Sequence, residues 1–199
     1  MTTANKRSAE HPIDKMFLER WSARAFTGAE ISQSDLLTIL EAARWAPSAS
    51  NLQPWRFIYA RRETEHWQPL FDLLVPFNQS WAHNAAALIV IASETTYKAA
   101  GSDALKPAYS HSFDAGAAWQ SLALQATRMG WSAHGMIGFD TDGAPAKLGI
   151  PQGFRVEAAV AIGRPGDPSV LPEALKAREV PSTRRPLNEI AFEGHFPTG

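Results

Sequence analysis

Apolar positions along the chain fall into a small number of distinct periods. Ile13, Phe17 and Trp21 recur at a four-residue spacing and predict a first amphipathic segment over about 13–21. Ser32 followed by Asp35 reads as an N-cap with a capping-box partner, and Leu36, Leu37, Leu40 and Ala43 then form a helical stripe. Pro47 pushes the residue before it out of helical geometry. Large side chains alternate from Gln53 to Tyr59, as in a half-buried strand, and Thr64 to Leu74 reads as helix if Pro69 lies in its first turn. The continuous apolar run Ala85–Ala92 predicts a strand covered on both faces.

Tyr97 to Ser112 has no period and is rich in small and polar residues, so it reads as a loop and a candidate lid. Phe113 to Met129 carries Trp119, Leu122, Ala126 and Met129 on one face and stops at Gly130, a helix with a glycine C-cap. Gly135-Met136-Ile137-Gly138 reads as a tight turn before a short helix ending at Leu148, and Phe154–Ile162 as a further strand. Beyond Gly163 the chain is rich in proline and ends in a strand-like stretch, Asn188–Phe192. This order gives an α+β fold and not a regular βαβ alternation. The division it predicts is a flexible arm over residues 1–12 and one domain over residues 13–199.

Composition narrows the functional classes. With 199 residues, 45% hydrophobic and 20% charged, the chain can bury a core of its own as a soluble globular domain. A formal net charge of −1 implies no overall attraction to nucleic acid or to an anionic membrane. The absence of cysteine removes disulfides, thiolate metal sites and cysteine nucleophiles, and fits a reducing compartment. A polar start and no apolar run near the ~20 residues that span a bilayer complete the expectation of a cytoplasmic protein. No G-x-G-x-x-G after a strand, G-x-x-x-x-G-K-[ST], H-E-x-x-H or G-x-S-x-G occurs. The six histidines are scattered, with only His111 and His134 near segments of interest, so hydrolysis by a triad or by zinc is disfavoured and no metal is expected.

Three segments carry candidate chemistry. Arg20-Trp21-Ser22-Ala23-Arg24, at a helix end, sets two guanidiniums and a hydroxyl within reach of one phosphate, although a solvated arginine pair has the same sequence. Pro47-Ser48-Ala49-Ser50-Asn51-Leu52-Gln53-Pro54-Trp55 is a proline-bounded turn rich in hydroxyls and amides, equally readable as an ordinary capped loop. Ser182-Thr183-Arg184-Arg185-Pro186-Leu187 is a basic cluster that could complete an anion site or simply be solvated.

In this order the segments resemble the nitroreductase family of FMN proteins, from roughly Ile13 to Phe192. Its members open with R-R-S-x-R, carry A-P-S-x-x-N-x-Q-P-W after a helix and finish near R-K-P-L-x-E-I. The matching stretches are Arg20–Arg24, Ala46–Trp55 and Arg184–Ile190, joined by Gly135–Asp140 and Leu148–Pro151. Trp21 stands where the family usually has a second arginine. The resemblance implies a mostly antiparallel central sheet flanked by helices, in a homodimer whose C-terminal extension embraces the partner and whose active sites lie at the interface. It implies that Arg20, Ser22 and Arg184 hold the FMN phosphate, with Trp21 contributing backbone contact and Arg24 beside flavin N1 and the C2 carbonyl. Pro47, Ser48, Asn51 and Gln53 would meet the ribityl chain and pyrimidine edge, and Met136, Ile137 and Gly138 would approach flavin N5. No side chain is expected to act as a catalytic residue, since the chemistry is the flavin's. The implied activity is ping-pong transfer of hydride from NAD(P)H, through flavin N5, to a nitroaromatic, quinone or activated alkene. Dehalogenation, flavin breakdown or FMN binding without turnover are the alternatives.

Overall fold

A computed structural model describes residues 5–197 of the chain. Its centre is a four-stranded antiparallel sheet of β1 (Trp55–Arg61), β2 (Ala87–Glu94), β5 (Ser132–Met136) and β6 (Phe154–Gly163), in the order β1-β2-β6-β5. The apolar run is β2, and its alternation sorts the core. Leu88 and Val90 face one side with Phe26, Trp67, Leu70 and Trp81. Ile89 and Ile91 face the other side with Leu36, Ile39, Leu122, Trp131 and Ile162. The first side is covered by α3 (Trp67–Phe71) and α4 (Pro76–Ala82), the second by α2 (Gln33–Arg44) and α5 (His111–Arg128). A strand buried on both faces needs such a run, and the layers follow from it.

Local signals hold where they rest on capping chemistry. The Ser32 hydroxyl accepts the Asp35 N–H at 3.0 Å, and α2 stops at Arg44, three residues before Pro47. Gly130 takes φ +76 just beyond α5, as expected of a C-cap glycine. Gly163 is required by packing, since a Cβ there would lie 2.4 Å from the Phe26 ring.

Other expectations are corrected. Only α1 (Met16–Glu19) of the expected 13–21 segment is helical. The 97–112 stretch holds a small hairpin, β3 (Thr96–Lys98) with β4 (Leu105–Pro107), and α5 begins inside its far end at His111. Gly135 and Met136 lie in β5 and not in a turn. Among the described residues, that strand pairs with β6 alone, and Gly135 lies under Trp119, whose ring would stand 3.2 Å from an added Cβ. Asn188–Phe192 is not a strand in the single chain, because Leu187–Glu189 is a 3₁₀ turn. Within residues 5–12, Asn5 Nδ2 donates to the Leu18 carbonyl, and Glu10 Oε1 accepts the Leu187 N–H. The arm's first four residues, like Thr198 and Gly199, lie outside the described residues. No helix among the described residues is long and apolar enough to cross a membrane.

Candidate functional site

The segment Arg20–Phe26 leaves α1 in extended form and is pinned from several sides. Ser132 Oγ, at the start of β5, donates to the Trp21 carbonyl (3.1 Å) and accepts the Ala23 N–H (3.2 Å). Glu179 reaches in from 155 residues away, its Oε1 accepting the Arg24 and Ala25 N–H groups at 2.7 and 2.8 Å. His134 Nδ1 lies 3.0 Å from the Ala23 carbonyl; a carbonyl only accepts, so Nδ1 carries the hydrogen. Trp21 is partly buried against the core, which accounts for a large apolar residue at this position.

The arginines so placed converge. A cavity of about 320 Å³ is lined by Arg7, Arg20, Arg24, Arg178 and Arg184, with Trp21, Ser22, His134, Val180 and Ser182. Arg20 is drawn below the ordinary arginine pKa by burial and then by the Arg184 charge. Burial also lowers Arg7, with Arg184 and Arg20 adding to the shift. In Arg24 burial outweighs the opposing pull of Glu179, whose Oε2 stands 4.0 Å from Nη1. Clustered, partly desolvated guanidiniums repel one another, and an anion among them relieves that cost. Arg24 Nε is buried without a hydrogen-bond acceptor among the described residues. Such a donor costs free energy until an acceptor reaches it.

Arg20 and Ser22 also border a second cavity of about 370 Å³, walled by Trp119, Gln120, Gly135, Met136, Ile137 and Ala158. Ile137 is 87% exposed, an apolar side chain left for something to cover. Gly138 does not line this cavity. A Cβ there would stand 2.7 Å from Asn78 Nδ2, so its bareness admits Asn78 of α4, whose amide donates to the Gly138 carbonyl.

Pro47, Ser48, Asn51 and Gln53 line neither cavity. Their loop is nonetheless specialised. Ser50, Asn51 and Gln53 all hold positive φ (51°, 55° and 49°), an uncommon conformation for residues with a side chain. Asp114 in the first turn of α5 steadies it by accepting the Ala49 N–H (3.2 Å), and Ser48 Oγ accepts the Gln53 N–H (3.0 Å). Of the residues expected at one site, the structure brings Arg20, Trp21, Ser22, Arg24 and Arg184 together, sets Met136 and Ile137 beside them, and leaves Gly138 and the Pro47–Gln53 loop outside both cavities. The sequence reading missed Arg7, Arg178, Glu179 and Ser132. Their neighbours along the chain carry no signal that singles them out.

His134 yields a pH prediction. Burial, reinforced by Arg24 and Arg20 against the carbonyl bonds that oppose it, lowers its pKa to about 4. The unfolded chain then binds the extra proton between about pH 6.5 and 4, so stability falls as pH falls through that window. We expect His134→Asn, which retains a short N–H donor, to flatten the dependence of Tm on pH there relative to wild type. Parallel Tm–pH curves for the two proteins would show that His134 does not carry the dependence.

A model of the nitroreductase family matches residues 18–164. The fold superposes on a crystal structure of an oxidoreductase containing FMN, with TM-score 0.95, 52% identity and full coverage of both chains. An uncharacterised 15.4 kDa protein of Mycolicibacterium smegmatis is 37% identical over 150 residues, 71% of this chain and 97% of that one. A protein of Archaeoglobus fulgidus, provisionally named NADH dehydrogenase/NAD(P)H nitroreductase, is 30% identical over 160 residues, covering 77% of this chain and 85% of its own length.

Proposed function

Since the chain belongs to the nitroreductase family, we propose that it binds one FMN per subunit and passes reducing equivalents from NAD(P)H to a small oxidised acceptor. The observation that carries this reading is the join between two cavities at Arg20 and Ser22. One side is an arginine cluster suited to a phosphate, and the other a partly apolar space bounded by Trp119, Met136 and Ile137. FMN has those two ends. The 52%-identical oxidoreductase, described as containing FMN, supports the same assignment.

Within this reading Arg20, Arg184 and Ser22 hold the phosphate, forked guanidiniums being matched to its oxygens. Arg24 is fixed by Glu179 with its buried Nε–H still to be satisfied. It would donate to the pyrimidine edge and favour negative charge there. Met136 and Ile137 approach the ring, while Trp119 excludes water from one wall. Bound FMN would supply the two-electron chemistry, so the protein's part is binding, orientation and field. Nitroaromatics, quinones and activated alkenes are the proposed acceptors.

A second copy of the chain completes the site in this proposal. The strained Pro47–Gln53 loop, outside its own subunit's cavities, would meet the ribityl chain and pyrimidine edge of the partner's flavin. Exposed Phe113 (82%) on α5 and Phe196 (80%) in the tail are apolar surface for such an association. The tail would wrap that partner.

Two measurements test the function. NADH or NADPH added anaerobically to the yellow protein should bleach it within the time of turnover; a flavin that stays oxidised would point to FMN binding without catalysis. At varied NAD(P)H and acceptor, double-reciprocal rate lines should be parallel, because one pocket serves both substrates in turn. Intersecting lines would require both to be bound together and would overturn the ping-pong order.

A further inference from the structure

Beside the arginine cavity lies another, of about 290 Å³, enclosed between the N-terminal arm and the C-terminal tail. The two share Arg7 and Arg184, so the row of cations does not end where one phosphate would be held. Lys6 and Arg185 continue it, and Phe17 and Pro186 supply apolar surface beside them. Phe17 is 48% exposed there, an aromatic side chain open to stacking. Both walls are fixed. Arg7 Nε donates to the Ser182 carbonyl (2.7 Å) and Nη1 to the Arg20 carbonyl (2.7 Å), lacing arm, phosphate segment and tail together. The Glu10 carboxylate accepts the Leu187 N–H (2.9 Å) across the same gap.

We propose that this cavity takes the adenylate half of a flavin dinucleotide, so that the protein accepts FAD as well as FMN. The inference rests on the reading of the arginine cavity as the FMN phosphate site. In a dinucleotide the terminal phosphate becomes one of two linked phosphates, each with a single negative charge. The first stays with Arg20, and the second falls at the shared boundary of Arg7 and Arg184. Lys6 and Arg185 flank the ribose and second phosphate, and the adenine lies on Phe17 and Pro186. Adenosine diphosphate is also part of NAD(P)H. The boundary shared with the phosphate cavity favours FAD, because its second phosphate is bonded directly to the first.

The test is a fluorescence titration of flavin-stripped protein with FMN, FAD and riboflavin, for wild type and for the double variant Lys6→Ala/Arg185→Ala. Wild type should bind FAD within about tenfold of FMN and well above riboflavin. Loss of two charged contacts should weaken FAD about tenfold or more and leave FMN within about twofold. FAD binding no better than riboflavin in wild type, or equal weakening of FMN and FAD in the variant, would overturn the proposal. So would a raised KM for NAD(P)H in the FMN-loaded variant with FAD affinity unchanged, which assigns the cavity to the nicotinamide nucleotide. Failure of wild type to bind FMN itself is a separate outcome, and it removes the reading on which the proposal rests.

Discussion

Arg20→Ala should weaken FMN by about 10- to 150-fold while leaving riboflavin within about twofold, because a charge-assisted contact is worth about 1.5–3 kcal/mol and touches only the phosphate. Arg20 is the arginine whose loss should matter most. It borders both cavities, so it stands at the junction of phosphate and ring. Its charge is partly desolvated and pressed by Arg184, so much of its unfavourable energy is present before ligand arrives and is relieved on binding. Arg184 lies on the exposed tail and, among the described residues, hydrogen-bonds only to Ser182 and Thr183, so Arg184→Ala should fall at the lower end of the same range. Equal weakening of FMN and riboflavin by Arg20→Ala would show that this side chain does not read the phosphate.

Much of this architecture was legible in the sequence where a segment's own residues decide its state. Ser32 with Asp35, the run of β2 and the stripe of α5 each specify an element locally, and each is found. The strand Ser132–Met136 was not legible. Its composition, Ser-Ala-His-Gly-Met, suits an edge strand against β6 with Gly135 beneath Trp119, a condition set by α5. The helix Pro76–Ala82 carried a readable sign, proline in its first turn, that its short length obscured. Arg20, Ser22 and Arg24 could be singled out because they crowd into five residues. Arg7 and Arg178 could not, since neighbours along the chain say nothing of a cavity closed by both termini. The Pro47–Gln53 loop was recognisable by motif, yet one chain alone does not bring it to the arginines.

Glu179 is the residue whose removal should cost the most stability. It sits in an irregular stretch, between Arg178 and Val180, where a carboxylate ordinarily points to solvent. Here its side chain is only 2% exposed. It gathers two consecutive backbone N–H groups, those of Arg24 and Ala25, and faces the Arg24 guanidinium. Glu179→Ala strands those donors in the interior and leaves the arginine cluster without this counter-charge. Breaking a buried charged network from one side costs about 3–5 kcal/mol. At about 2–4 °C per kcal/mol for a domain of this size, Tm should fall by about 6–20 °C. Glu179→Gln retains an oxygen for the two N–H groups and loses only the charge, so its Tm should lie between those of wild type and Glu179→Ala. If thermal unfolding of Glu179→Ala follows wild type within about 2 °C, the carboxylate does not hold the Arg24 segment in place. A glutamine variant as unstable as the alanine one would instead assign the whole effect to charge.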